Sequence, residues 1–438
     1  MTTKLPTYDK YKPSGVEWLG EIPEHWEVKK VNYCFLEIGS GTTPTSGNLN
    51  FYENGVFNWL QTGDLNDGEI FATAKKITHL ALASHSTLRF YPIDSIVIAM
   101  YGATIGKTGL LKIQTTTNQA CCVLAKPKNV NSKFAFFWLN SIRNHIISLS
   151  YGGGQPNINQ EQIRNLKIQL PPLPEQTAIA QFLDRKTALI DQAIDIKQKQ
   201  IELLKERRQI LIHQAVTRGL NPEVKMKDSG VEWIGEVPEH WEVKRLKYVL
   251  HERNERSMTG TEPLLMMSQI HGLVVRAEFH TKAEVASSTE GNKLVYKNDL
   301  VFNKLKAHLG VFFKSNIEFT GIVSPDYAVY YSNGTIPDLK YLELLFRSPE
   351  YLKEFICRTT GIVEGLMRLY TSDLFDIFVL VPPIDEQDKI LKHIEIYNSK
   401  IDTTITLKQQ EIAKLQEYKA TLINSAVTGK IKVGSHAQ

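Results

Sequence analysis

Apolar residues in this chain follow two rhythms, and the slower one organises the rest. From Pro171 to Gly219 the sequence reads "PPLPEQTAIAQFLDRKTALIDQAIDIKQKQIELLKERRQILIHQAVTRG", with a proline stop at its start and no Pro or Gly between Glu175 and Arg218. Those are the boundary signals of one long helix. Phe182, Leu189, Ile196, Leu203 and Ile210 recur every seventh residue, as do Leu183, Ile190, Leu204 and Leu211, the second column broken by Lys197. A sustained period of seven predicts a face shared with another helix. The partner is in the same chain. From Pro382 the pattern returns at a constant offset of 211, placing Ile394, Ile401, Leu415 and Leu422 where Leu183, Ile190, Leu204 and Leu211 stand. Ile405 and Ile412 match Ile194 and Ile201, and Lys408 matches Lys197. The other column turns polar, with Lys400, Lys414 and Thr421 replacing Leu189, Leu203 and Ile210. Two helices, each about 60 Å long at 1.5 Å per residue, are expected to pack on one another within one polypeptide. The bland alternative is two unrelated amphipathic helices serving separate domains.

A second repeat sets the organisation. "SGVEWLGEIPEHWEVK" (Ser14–Lys29) recurs as "SGVEWIGEVPEHWEVK" (Ser229–Lys244), differing at Leu19/Ile234 and Ile22/Val237. The chain therefore reads as a motif (1–31), an insert (32–170), a long helix (171–220), the motif again (221–246), a second insert (247–381), a second long helix (382–430) and a tail (431–438). The inserts resemble each other little, so a repeated frame carries two divergent contents. The motif predicts a turn followed by a strand, since Trp26/Val28 and Trp241/Val243 alternate after a proline. Trp18, Trp26, Trp233 and Trp241 are read either as packing anchors or as a docking surface for a partner bound twice.

The faster, strand-like rhythm fills the inserts. In the first, strands are expected in "VFNWLQTGDL" (Val56–Leu65), on both sides of a glycine turn in "SIVIAMYGATIGKTGLL" (Ser95–Leu111), and in "QACCVLAK" (Gln119–Lys126). A helix over Lys133–Leu149 follows, then a glycine loop, a short helix and a closing strand by Leu170. The second insert predicts strands around Leu294–Phe302, Gly310–Phe313 and Tyr327–Tyr331, a helix over Leu339–Phe355 and a closing "DIFVLVPP". The fold class is α/β (α+β): two globular domains on two long antiparallel coiled-coil helices, with an internal pseudo-twofold repeat.

Composition changes this picture little. The 438 residues are too many for one core. Cys34, Cys121, Cys122 and Cys357 have no C-x-x-C spacing, which suits buried thiols in a reducing cytoplasm. The N-terminus lacks the apolar core of a signal peptide, and no apolar run approaches membrane-spanning length. Net charge is +4; residues 32–170 carry 11 basic against 7 acidic groups, and 247–381 carry 15 against 16. That balance permits nucleic-acid binding without demonstrating it.

Catalytic signatures are missing. "GATIGKT" (Gly102–Thr108) is one residue short of a phosphate-binding loop, with Tyr101 where glycine is needed. There is no H-E-x-x-H, no Asn/Asp-Pro-Pro-Tyr/Phe stretch to grip a flipped adenine, and no glycine turn for S-adenosylmethionine. His79 and His85 lack supporting carboxylates, and "SPDYAVY" (Ser324–Tyr330) lacks the acidic-x-Lys of a metal nuclease. The chain is expected to hold no metal or cofactor and to do no bond chemistry. Polar loop residues suited to base edges and phosphates remain: Thr42, Thr43, Gln61, Lys107, Gln155 and Asn157 in the first insert, and Arg253, Arg256, Arg276, Lys304, Lys306 and His308 in the second. Each has the plain alternative of a solvated loop residue, except in the glycine-containing loops Gly39–Thr43 and Gly152–Asn157, whose few apolar residues let backbone approach a DNA backbone closely.

The paired "SGVEW…PEHWEV" motifs, "GTTPTSGN", "MYGATIGKTG", "GGGQPNINQEQIRNLKIQLPPLPEQ", "GIVSPDYAVY" and "PPIDEQ" together resemble the specificity subunit of type I restriction–modification systems. The resemblance spans essentially the whole chain. It implies two target recognition domains held on antiparallel helices, each reading half of a split, asymmetric double-stranded DNA site. It further implies two modification (methyltransferase) subunits and restriction (nuclease/translocase) subunits as partners, with S-adenosylmethionine, ATP and Mg held by those partners. One departure is "HERNERSMTG", which replaces the Gly-Thr-Thr-Pro loop in the second insert. A pseudo-dimeric protein-interaction scaffold is the alternative function.

Overall fold

The computed structural model describes residues 6–150, 157–279, 289–360 and 368–434. The chain divides into two compact units, Met1–Lys197 with Gln409–Gln438, and Gln198–Lys408. Each unit takes one motif, one insert and one half of each long helix.

The long helices are continuous over Leu173–Arg218 and Ile384–Val427. In the first unit they run antiparallel, because Asp191 pairs with Lys419 and Lys197 with Glu411, both at 2.6 Å. Leu183, Ile190 and Leu422 are buried here, with Ile194 and Leu415 packed against them. Lys197, which interrupts the apolar column, meets the Glu411 carboxylate of the opposite helix. In the second unit Arg208 pairs with Asp402, and Ile201, Ile394 and Ile401 are buried. Leu204, Leu211 and Ile405 are half-buried there, as is Ile412 in the first unit. The neighbouring column behaves differently. Phe182 is buried, but Leu189, Ile196, Leu203 and Ile210 are 48–62% exposed. Consecutive helical residues lie about 100° apart, so one partner helix cannot cover both columns.

Each insert is tied at its base. Glu27–Lys30 pairs antiparallel with the closing strand Lys167–Leu170, and Glu242–Arg245 pairs in the same way with Phe378–Val381. The motif tryptophan locks this base to the start of the helix. The Trp26 indole N–H donates to Glu175 at 3.3 Å, His25 joins the same carboxylate at 2.8 Å, and the Tyr8 hydroxyl donates to it at 2.5 Å. In the second unit Trp241 and His240 meet Glu386 at 3.1 and 2.6 Å. Both glutamates lie in the first helical turn, where the helix dipole favours negative charge. Helix ends close on the same rings. A Cβ on Gly429 (φ 75°) would meet Pro23 at 2.5 Å and Trp26 at 3.3 Å, and one on Gly219 (φ 77°) would meet Glu386 at 2.8 Å and Trp241 at 3.3 Å.

These contacts correct the docking reading for Trp26 and Trp241, which are 0% exposed and are core anchors. Trp18 is 36% exposed and stacks on His145 at 4.3 Å, while the half-buried Trp233 stands edge-on to Tyr351 at 5.0 Å.

The first insert is built on a five-stranded sheet in the order Phe35–Gly39, Cys121–Pro127, Ile96–Ala99, Thr108–Leu111 and Gly68–Ile70. The second uses four strands, Leu250–Glu252, Tyr327–Ser332, Leu300–Asn303 and Phe312–Lys314. Its four strands repeat the order and antiparallel sense of the first four strands of the other sheet. The first insert adds a parallel edge strand. Cys121 and Cys122 lie within the first sheet, where burial pushes the Cys122 thiol up to about 12. Cys357 is exposed.

Three predicted elements are split. The helix expected over Lys133–Leu149 breaks at Ile142, whose ψ of 14° leaves the helical region. That over Leu339–Phe355 restarts at Pro349, which suits a first helical turn. The strand expected over Leu294–Phe302 turns at Asn298 (φ 65°), separating Lys293–Val295 from Leu300–Asn303.

Candidate nucleic-acid interface

Antiparallel strand order gathers particular loops at one end of each sheet. In the first insert these follow Gly39 and Ala99 and precede Thr108 and Cys121. The Gly39–Thr43 loop is pinned there: the Gly41 N–H donates to the Thr117 hydroxyl at 3.0 Å. A Cβ on Gly41 would stand 1.8 Å from the Thr117 carbonyl oxygen, so the approach requires glycine. The Thr43 hydroxyl donates to Gln119 at 2.6 Å, and the Thr42 carbonyl accepts from Trp59 at 3.1 Å. Gln61 opens the next turn, its N–H donating to Asp64 at 2.8 Å, beside Asn118, whose N–H donates to the Leu60 carbonyl at 3.1 Å.

Asn157 enters from the far end of the insert. It is exposed and forms a bridge with Tyr101, and the next N–H, of Ile158, donates to the Met100 carbonyl at 3.0 Å. Gln160 then donates to the Ser40 hydroxyl. The structure thus brings Thr42, Thr43, Gln61 and Asn157 to one rim. The half-buried Lys107 sits in the turn between Gly106 (φ 73°) and Thr108, its carbonyl accepting from Ala99 at 2.9 Å. Gln155 lies outside the described residues. This rim is mainly a surface of hydroxyls and amides, with Lys107, Asp64 and the Arg143–Asp67 pair against the Gly106 turn among its charged groups.

The same end of the second sheet is ionic through Lys304 and Arg368, while Arg253 pairs with Asp299 at the opposite end of the strand Leu300–Asn303. Arg253, expected to contact nucleic acid, is already spent within the fold. It grips Asp299 at 2.9 and 3.0 Å and Glu255 at 2.8 Å, and lies between the rings of Tyr296 and Tyr331, 4.6 and 4.7 Å away. Its side chain is 16% exposed, which corrects that assignment: the charge is a structural tie. Arg256 is exposed and donates to the Gly291 carbonyl at 2.7 Å. Arg276 is half-buried, within electrostatic reach of Tyr327, whose phenol burial pushes up. Lys306 is exposed at a kink (φ −125°, ψ 31°), and the His308 side chain lies outside the described set.

Lys304 belongs to a cluster that sequence reasoning missed. Lys293, 5% exposed, and Lys304 share the Glu252 carboxylate at 3.3 and 4.0 Å. Arg368 faces Asp326 at 3.9 Å. The Lys304 ammonium is pushed below the usual lysine range by burial first, then by the Lys293 charge, with Arg368 adding to it against Glu252 and Asp326. The signal for Arg368 was in the sequence: the helix offset of 211, carried backwards, places it on Asn157.

Among the described residues no group of three His, Cys, Asp or Glu side chains could hold a metal, and no helix is long and apolar enough to cross a membrane.

Comparison with known proteins gives a consistent result. The family model described as the type I restriction modification DNA specificity domain matches residues 23–206. The type I restriction enzyme MjaVIII specificity subunit of Methanocaldococcus jannaschii is 24% identical, over 94% of each chain. The EcoKI specificity subunit of Escherichia coli is also 24% identical, over 94% of this chain and 90% of its own. In fold, the chain matches one solved in work on the assembly and conformational transition of the type I R-M system (TM-score 0.66, 13% identity, 93% of this chain and 98% of the other). It also matches the HsdS subunit of Thermoanaerobacter tengcongensis (TM-score 0.54, 15% identity, 94% and 98%).

Proposed function

Because the chain belongs to the family of type I restriction–modification specificity subunits, we propose that it recognises a bipartite, asymmetric double-stranded DNA site, one half through each insert, and so directs adenine methylation and restriction by partner subunits. It is the non-catalytic member of that assembly. One observation carries this reading: two sheets with the same strand order present different hydrogen-bonding chemistry at the same end. A common frame with unlike rims is what two unlike half-sites require, since bases are read by donors and acceptors brought to the groove.

The partners are two modification subunits, with restriction subunits completing the enzyme; S-adenosylmethionine, ATP and Mg belong to them, and the complex works in the cytoplasm. For docking, burial removes Trp26 and Trp241 and leaves Trp18 and Trp233. It also adds exposed apolar residues on the first long helix, Leu189 and Ile196 in one unit and Leu203 and Ile210 in the other. Seven-residue spacing on an uncovered face suits a partner helix.

Selection of random duplexes by the complex co-expressed with its modification subunits tests the function. An enriched two-part motif is expected; saturable binding without enrichment would instead support a protein-interaction scaffold. The helices are further proposed to set the spacer. Removing about four residues, roughly one turn, within Ile194–Leu204 should change the spacer and leave both half-site sequences intact. Altered half-site bases would refute that role.

A further inference from the structure

In each insert one backbone hydrogen bond ties the chain just before the last short helix to the residue that follows the third sheet strand. The Ile158 N–H donates to the Met100 carbonyl at 3.0 Å, and the Leu369 N–H to the Lys304 carbonyl at 3.1 Å. Ile158 and Leu369 are buried, and helices Gln160–Asn165 and Thr371–Phe375 follow them. The residue before each, Asn157 or Arg368, is exposed at the rim. Two divergent inserts therefore hold one backbone position in common, and its side chain differs between them.

We propose that this shared position is a base-reading residue of each half-site, with Arg368 contacting a guanine in the half read by the second insert and Asn157 an adenine in the other. The proposal rests on the DNA-recognition reading above and names the side chains that set its specificity. Guanine offers two acceptors to the major groove, O6 and N7, which match the arginine fork. Adenine offers an acceptor and a donor, N7 and the N6 amine, which match a carboxamide.

The surroundings of Arg368 support the assignment. Thr360 and Arg368 exchange both backbone hydrogen bonds, at 2.9 Å each, which fixes the arginine Cα while its side chain stays 44% exposed. Its ion pair with Asp326, at 3.9 Å, lies beyond hydrogen-bonding distance, in contrast to the tightly gripped Arg253. Behind it Lys293 and Lys304 share one carboxylate. The three cations face two carboxylates, Glu252 and Asp326, and the surplus positive charge is partly desolvated. Such a site attracts an anion: Lys304 acts as a point charge for the DNA backbone, with the buried Lys293 adding to the field behind it, while the planar guanidinium suits the base edge.

The test uses the complex with its modification subunits, reading motifs by duplex selection and affinities by titration over a salt series. A wild-type complex that selects no motif would refute the DNA-recognition reading itself. Given a motif, Arg368→Ala is expected to lower affinity about ten- to hundredfold and to abolish the preference for one G·C pair in one half only. Arg368→Asn should move that preference toward A·T. Lys304→Gln should weaken all sequences alike and reduce the salt slope by about one. Arg368→Gln serves if the alanine variant fails to assemble, with the same loss at the G·C pair expected. An unchanged motif in the assembled Arg368 variants, whether or not affinity falls, would overturn the proposal.

Discussion

At the rim of the first insert Thr43 donates to Gln119 and Gly41 leans on Thr117. At the rim of the second, Lys293, Lys304 and Arg368 stand around Glu252 and Asp326. Beneath these unlike surfaces the four shared strands have one order and one sense. The contrast shows where this molecule permits change. A sheet needs buried apolar residues at alternate positions and accepts many of them, so the strands diverge in sequence while keeping their order and sense. The rim needs no particular core, so its chemistry can be mainly hydroxyl and amide in one unit and more ionic in the other.

The largest expected effect tests the part the two units share. Trp26→Ala and Trp241→Ala each remove a fully buried ring and should destabilise their own unit by about 4 kcal/mol. Hydrogen exchange resolved by segment should show the loss confined to the unit that carries the change; a cost in one unit alone would break the equivalence of the frames. Arg253→Ala comes next. It strands Asp299, whose side chain is 2% exposed, and should cost the second insert about 3 kcal/mol in denaturant unfolding. Among the described residues of the first insert the nearest counterpart is Arg143 with Asp67, whose side chains are 31% and 32% exposed. Gly41→Ala forces a Cβ against the Thr117 carbonyl and should destabilise the first insert by about 2 kcal/mol, seen as a lower unfolding midpoint. Smallest is Thr43→Val, which removes one neutral hydrogen bond for about 1 kcal/mol or less. The ranking Arg253 over Thr43 sets a buried ion pair of the second insert against a neutral hydrogen bond of the first; its reversal would show that this pair is not built into the second fold.

Much of the frame was legible in the sequence because repetition is visible without knowing any contact. The long helices, the duplicated motif and the buried strands around Cys121 and Cys122 all follow from periodicity. What periodicity could not resolve was direction. Leu189 and Ile190 both recur every seventh residue, yet one is 60% exposed and the other 7%. Trp18 and Trp26 lie in the same motif and differ likewise, 36% against 0%. In the second insert, residue type alone suggested that Arg253 was available, whereas Asp299, far along the chain, claims it. Arg368 escaped notice because nothing near it in sequence resembles the glycine loop before Asn157; the offset of 211 already pairs the two, and Leu369 and Ile158 making the same backbone bond gives that pairing its meaning.

The central claim is that two equivalent frames present independent rims. Replacing residues 247–381 with a second copy of residues 32–170 tests it most directly, with methylation mapped across the genome in cells that also carry the modification subunits. The account predicts a methylated motif made of two inverted copies of the first half-site. A motif that remains asymmetric and keeps the original second half would contradict it.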